Sequence, residues 1–159
     1  MCYDGLMTIA DLYDEDFYLW TQAQANALRA EARRRGGGAN VIDWTRLAEE
    51  VGDLGRSDLR ECLSRTSTII EHLMKLAASG RREPRAGWLV TVKTQRAQLK
   101  RVLTPSLRLR VADELAALHE EARDIAQTAL DGAEPGATID PALSWTLDAI
   151  LGEADDPIA

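Results

Sequence analysis

The chain has 159 residues, of which 45% are hydrophobic and 28% are charged, and its net charge is −7. A chain of this length folds as one domain that buries roughly 68–70% of its unfolded surface, and the composition excludes disordered and fibrous proteins. No apolar run approaches the ~18 residues of a membrane span. The acidic start lacks the basic and apolar regions of a signal peptide, and the two cysteines lack metal-site spacing. We therefore expect a cytoplasmic protein with reduced thiols and no membrane association.

A stripe of side chains at spacings of three and four predicts a first helix over about 14–35. The stripe consists of Phe17, Trp20, Gln24 and Leu28. Acidic residues 14–16 in the first turn and arginines 33–35 in the last turn complement the helix dipole, and glycines 36–38 end the helix. Gln24 is polar within this stripe, so we expect its amide to be hydrogen-bonded in a packed interface.

Asp43 is predicted to cap a second helix that continues to about Leu76. The inward face of its first half is predicted to contain Leu47, Val51 and Leu54. Gly52 and Gly55 each cost about 1 kcal/mol relative to alanine inside a helix. The chain therefore either continues as one helix with a weak point or turns near Gly55, and we favour the continuous helix.

Three more helices follow, and no strand is predicted. The third covers 86–103 and has a basic outer face. The fourth runs from 105 to about 130 and follows a hydroxyl cap with proline at the first helical position. The same kind of signal at Asp140 and Pro141 opens a short fifth helix. The predicted fold class is therefore all-α, a small helical bundle of about five helices.

The predicted domain organisation is simple. Residues 1–12 form an N-terminal lead-in, 13–152 a single helical-bundle domain, and 153–159 a loose tail. We find no internal repeat and no low-complexity segment.

Five short motifs along the chain are typical of one family. They are an aromatic-Asp-x-Asp-Phe start with a tryptophan, a Gln-Ala-x-x-Leu-Arg run, a Leu-Ala-Glu-Glu segment that ends in glycine, a His-Leu-Met-Lys step followed by Arg-x-x-Trp, and a Thr-Pro-Ser-Leu segment. Their residues are Tyr13, Asp14, Asp16, Phe17 and Trp20; Gln24, Ala25, Leu28 and Arg29; Leu47, Ala48, Glu49, Glu50 and Gly55; His72, Leu73, Lys75, Arg85 and Trp88; and Thr104, Pro105, Ser106 and Leu107.

In this order, over about 11–150, the motifs resemble the bacterial domain-of-unknown-function family 29. The resemblance implies an all-helical fold and implies no activity, because the family has none that could be carried over. Gly37 and Gly38 depart from the family pattern in the first loop.

A candidate polar cluster consists of Asp16, Gln24, Glu50 and His72. Helical metal sites pair ligands three or four residues apart, and neither histidine has such a partner. On one straight helix Glu50 and His72 are about 33 Å apart, so they meet only if the chain turns back near Gly55. We therefore predict no catalytic residue, no metal site and no cofactor. The alternative is a metal-binding or hydrolytic bundle that uses His72 and the carboxylates.

The segment between Arg81 and Arg110 contains nine basic residues and one acid, which leaves a net charge of −15 for the rest of the chain. Its candidate basic surface comprises Arg85, Lys93, Arg96, Lys100 and Arg101. Either the chain's own acidic regions cover these cations or an acidic partner does. Nucleic acid is disfavoured because the isoelectric point is about 4.9, whereas nucleic-acid-binding domains are typically above about 9. Nucleic-acid contact through 81–110 stays as a second alternative.

These observations favour a non-catalytic interaction or regulatory module over an enzyme. We expect it to bind a protein partner, or itself as a homo-oligomer, by burying an apolar patch rimmed by the charges between Lys93 and Arg110. The sequence alone defines no substrate, partner or reaction.

Overall fold

A computed structural model describes residues 9–36 and 41–158, and this part of the chain contains six α-helices and no strand. The helices are α1 (Ile9–Glu15), α2 (Phe17–Arg35), α3 (Trp44–Ala78), α4 (Glu83–Val102), α5 (Pro105–Ala133) and α6 (Leu147–Leu151). The predicted all-α class is confirmed. Cys2 and the predicted loop glycines 37 and 38 lie outside the described residues. No helix within the described ranges combines the length and apolarity that a membrane span requires.

Two predicted helix starts are wrong. The first helix is divided at Asp16, which caps α2, so that Asp14 and Glu15 end α1 instead of opening a longer helix. The last helix begins at Leu147 behind a Thr146 cap. Asp140 accepts a hydrogen bond from a nearby backbone N–H in a turn and opens no helix.

The chain divides into two compact units. Unit 1 comprises residues 1–60 and 104–108, and unit 2 comprises residues 61–103 and 109–159. The single domain over 13–152 stays a prediction. The lead-in over 1–12 stays one too, and residues 9–12 of it are helical.

Small residues bring α2 and α3 together in unit 1. Thr21 and Ala25 are the buried residues of α2, and Ala48, Gly52 and Gly55 are buried on α3. A methyl group at Gly55 would overlap the Thr21 hydroxyl, and one at Gly52 would touch Ala25. The two glycines therefore allow close backbone approach, which offsets their poor helix propensity.

This packing rotates the inward face of α3 in unit 1 by one residue, about 100°, from the predicted one. Leu47 is 41% exposed and Leu54 is 51% exposed, whereas the neighbouring small residues are buried. The prediction that these leucines face the core is therefore wrong. The stripe on α2 is also displaced, because its members, including Gln24, are only half-buried.

Unit 2 has a larger aliphatic core. Its fully buried large side chains are Ile69, Ile70, Leu73 and Met74 on α3, Val92 and Leu99 on α4, Val111 and Leu130 on α5, and Ile150 and Leu151 on α6. On α3 these residues recur at spacings of three and four, and on α4 Val92 and Leu99 are seven residues apart, as expected of amphipathic helices packed around one core. These large apolar side chains therefore form the core of unit 2.

Candidate functional site

Asp16 is a buried carboxylate that joins the starts of two helices in unit 1. It is 4% exposed, and its Oδ1 accepts a hydrogen bond from the Leu19 backbone N–H at 3.0 Å, which caps α2. Its Oδ1 also accepts from the Thr104 hydroxyl at 3.0 Å, and its Oδ2 accepts from the Ser106 backbone N–H at 2.8 Å. Asp16 thus satisfies N-terminal donors of both α2 and α5, which have no partner within their own helices.

These hydrogen bonds determine the charge state of Asp16. Burial raises the pKa of its carboxyl, but the hydrogen bonds from Leu19, Ser106 and Thr104 outweigh burial and hold that pKa below its usual range. A carboxylate that stays ionised and has its oxygens occupied is a poor general acid or base near neutral pH. The geometry of Asp16 is that of a structural cap.

No hydrogen bond or ion pair between described residues joins Gln24, Glu50 or His72 to Asp16 or to one another. Gln24 is half-buried on α2, and Glu50 is exposed on α3. The helix α3 continues through Gly55 from Trp44 to Ala78, so the favoured continuous helix is confirmed and the turn that would return Glu50 to His72 is not formed. His72 is half-buried, and its Nδ1 lies 2.9 Å from the Thr68 carbonyl oxygen one turn earlier.

His119 is the more deeply placed histidine, and it lies in unit 2. It is 6% exposed, its Nδ1 is 2.7 Å from the Leu115 carbonyl oxygen, and its Nε2 is 3.1 Å from the Trp145 backbone nitrogen. Since the Trp145 N–H donates to Nε2, the proton of the neutral ring lies on Nδ1 and is donated to Leu115. The imidazole links α5 to the segment before α6. The residues three and four positions from His119 in the sequence do not predict this hydrogen bond.

The predicted basic surface needs correction at Arg96. This residue is 8% exposed, and its guanidinium donates to the carbonyl oxygens of Ala149 and Ile150 at 3.0 and 2.7 Å. It also forms a bidentate ion pair with Asp156 at 2.9 and 3.1 Å. Asp156 belongs to the tail that is predicted to be loose, and this ion pair connects it to α4. Arg96 therefore caps the C-terminus of α6 inside unit 2.

Two further members of that surface also have internal partners. Arg85 is half-buried and donates to the Leu76 and Ser79 carbonyl oxygens at 2.7 and 3.2 Å, at the C-terminal end of α3. Lys100 lies 3.8 Å from a Glu153 carboxylate oxygen. These contacts follow the expectation that the chain's own groups cover part of the basic segment. Lys93 and Arg101 are the candidates that remain exposed without an ion pair to a described residue.

Exposed apolar side chains lie on the first part of α3 and just before it in unit 1. We define the α3 apolar face as Val41, Ile42, Leu47, Val51 and Leu54. Val41 is fully exposed, Ile42 is 46% exposed, and the two leucines are about half exposed. Positions 47, 51 and 54 recur at spacings of four and three, so they share one side of the helix.

Carboxylates border this face. Asp43 accepts from the Arg46 backbone N–H at 3.0 Å, which confirms its predicted role as the cap of α3. Glu50 lies one residue from Val51 and makes no ion pair with a described residue. The face therefore combines exposed leucines with an acidic border.

A metal-based or nucleophilic site has no geometric support in residues 9–36 and 41–158. No three His, Cys, Asp or Glu side chains within these ranges come together as a group that could hold a metal ion. Cys62, the one described cysteine, forms no disulfide and is fully buried.

Comparison with known proteins agrees with the motif analysis. The family model of the domain of unknown function DUF29 matches residues 12–154. The chain is also similar to an α-helical protein of unknown function from Rhodospirillum rubrum, whose crystal structure is 29% identical over 92% of each chain with a TM-score of 0.77. No curated protein matches the chain. Since the family model covers nearly the whole chain, this protein belongs to the DUF29 family.

Proposed function

We propose that this protein is a non-catalytic helical module that binds a protein partner through the α3 apolar face. The observation that carries the proposal is the exposure of Leu47 and Leu54 on α3, at 41% and 51%, together with that of Val41 and Ile42 just before the helix. Single exposed apolar side chains are ordinary, but several on one helix face are typical of an interaction surface. A cytoplasmic location fits the buried, reduced thiol of Cys62.

The polar residues support binding over catalysis. The Asp16 carboxylate is occupied by three donors, and His119 uses both ring nitrogens in bonds to backbone groups. His72 bonds within its own helix, and α3 carries Glu50 and His72 without a turn between them. The hydrolytic alternative therefore lacks the convergent groups that acid–base chemistry requires.

The border of the face defines the chemistry of the partner. Glu50 and Asp43 place carboxylates next to the leucines, so the partner we propose is an amphipathic helix with an apolar ridge and basic flanks. Fully burying a leucine is worth about 1.5–3 kcal/mol. Covering the exposed half of two leucines therefore contributes about 2 kcal/mol, or roughly 30-fold in affinity.

The test compares two matched double variants. Leu47→Glu/Leu54→Glu places charge on the α3 apolar face, and Leu19→Glu/Leu109→Glu places the same charge at two other exposed leucines. Each tagged protein is used to retain proteins from a lysate of the source organism. A protein retained by the native chain is identified by mass spectrometry, purified and titrated against all three forms by calorimetry.

The proposal expects an affinity loss of about 30-fold or more for the first variant and little change for the second. Circular dichroism checks that both variants are folded. Equal binding by both variants, or retention of nucleic acid in place of a protein, contradicts the proposal. Reproducible retention of no protein by the native chain also contradicts it.

A further inference from the structure

Unit 2 contains an open groove between α3 and α5 that the proposed function does not use. Its volume is about 490 Å³. The apolar part of its lining includes Leu63, Ala117, Leu118 and Ile125, of which Ile125 is 45% exposed. Its α5 residues extend from 114 to 125, about 16 Å at 1.5 Å per residue, so the groove is long enough for three turns of a helix.

The charged residues along this groove are all acidic. They are Glu71, Glu114 and Glu121. Glu71 is paired with Lys75 at 2.5 Å, whereas Glu114 and Glu121 are exposed and have no ion pair with a described residue. These two glutamates are seven positions apart in the sequence, which is about 10 Å along α5. The groove thus presents two uncompensated carboxylates next to apolar side chains.

The outer face of α4 has the complementary pattern. Val90, Lys93, Ala97 and Arg101 recur at spacings of three and four, and all four are exposed. Val90 is 64% exposed. The face from 90 to 101 is about 16 Å long, and Lys93 and Arg101 are about 12 Å apart along it. Its length and the spacing of its cations match those of the groove and its glutamates.

We propose that the protein self-associates by placing α4 of one copy in the α3/α5 groove of another. Lys93 and Arg101 then approach Glu114 and Glu121, and Val90 and Ala97 cover the apolar lining, as in helix-in-groove recognition. The copies repel each other overall because each carries a charge of −7. The contact therefore depends on these local opposite charges and weakens with added salt. This proposal does not rest on the α3 apolar face.

Charge reversal on each side tests the contact. The first variant is Lys93→Glu/Arg101→Glu, and the second is Glu114→Lys/Glu121→Lys. Sedimentation velocity over a concentration series measures self-association of the native protein and of each variant. Each variant alone pairs like charges, so we expect its association constant to fall at least tenfold. Mixing the two variants pairs opposite charges again in both directions, so we expect the mixture to associate.

Arg33→Glu/Arg46→Glu is the matched control, because it reverses two other exposed arginines that neither line the groove nor belong to α4. We expect it to associate as the native protein does. Three results would each overturn the proposal: a native protein that is still monomeric at about 1 mM, the weak end of specific affinity; association that the reversals leave unchanged; or no recovery on mixing. Partner binding through Leu47 and Leu54 is measured separately, so either proposal can fail while the other holds.

Discussion

The Asp16 carboxylate offers the sharpest test of how this fold is held together. Asp16→Ala removes the acceptor for the Leu19 and Ser106 backbone N–H groups and for the Thr104 hydroxyl. Asp16→Asn keeps one acceptor oxygen and a similar shape but cannot ionise. The comparison of the two variants therefore separates the hydrogen bonds from the charge.

The expected loss of stability follows from these contacts. Losing an N-cap costs about 1 kcal/mol, and a hydrogen bond to a charged group contributes about 1.5–3 kcal/mol. Because Asp16 is 4% exposed, water does not replace the lost acceptor. We expect Asp16→Ala to lower the free energy of unfolding by about 3 kcal/mol and Asp16→Asn by about half as much.

The pH dependence distinguishes the charge from the shape. The pKa of Asp16 is lower in the folded protein than in the unfolded chain, so its ionised form stabilises the fold above the unfolded pKa of about 4. That stabilisation is lost as the pH falls through the lower folded pKa. The stability difference between the native protein and Asp16→Asn should therefore be constant near neutral pH and shrink below about pH 4.

Urea unfolding followed by circular dichroism, repeated from neutral to acidic pH, measures these differences. A loss within about 0.5 kcal/mol for Asp16→Ala, the range of ordinary surface substitutions, would refute the capping role. A difference between the native protein and Asp16→Asn that persists unchanged at the lowest pH would refute the role of the charge.

The same unfolding assay checks three further predictions. Gly55→Ala should lower the free energy of unfolding by about 1–3 kcal/mol, because the added methyl group overlaps the Thr21 hydroxyl. A gain in stability, which is the usual result of this change inside a helix, would contradict the close packing. Arg96→Ala should lower the free energy of unfolding by about 3 kcal/mol or more, because it breaks a buried ion pair and a helix cap. Lys93→Ala should change the same quantity by no more than about 0.5 kcal/mol. Equal effects of the two substitutions would contradict the distinction between a buried and an exposed cation. His119→Phe should cost about 1–3 kcal/mol, since a backbone N–H before α6 loses its acceptor, and a neutral result would show that water replaces it.

Helix starts with strong local signals could be predicted from the sequence. Asp43 caps α3 as predicted, and α5 begins at Pro105 behind Thr104, whose carbonyl accepts the Arg108 N–H at 2.9 Å. Both signals depend on neighbouring residues only. Asp16 was placed correctly near a helix start, but its bond to Thr104, 88 residues away, has no local signature.

The α3 apolar face was mispredicted because hydrophobic periodicity gives most weight to large side chains. Leu47, Val51 and Leu54 form a regular stripe, and the pattern alone places it inward. The adjacent small residues Ala48, Gly52 and Gly55 are the ones that pack, since they let α2 approach closely. Their own spacing of four and three was the available signal, and the glycines were instead interpreted only as a weak point of the helix.

The basic segment shows a similar limit of charge counting. A helical pattern places Arg96 near Lys93 and Lys100, but it does not show that the carbonyl oxygens at the end of α6 lie beside one of them. Those carbonyls have no partner within their own helix, and a long guanidinium can reach several of them at once. Arg96 therefore turns inward although its neighbours stay exposed. A count of basic residues therefore describes a surface only when buried cations such as Arg96 are left out of it.

Several residues that relate this chain to DUF29 hold the fold, so the resemblance predicts the structure. Hydrogen bonds from Thr104 and Ser106 to Asp16 connect the starts of α2 and α5. Gly55 leaves room for the Thr21 hydroxyl. A side chain committed to such a contact is not free to bind a substrate or partner. Exposed side chains outside such contacts remain available to a partner. The α3 apolar face and the α3/α5 groove carry such side chains, and both proposals start there.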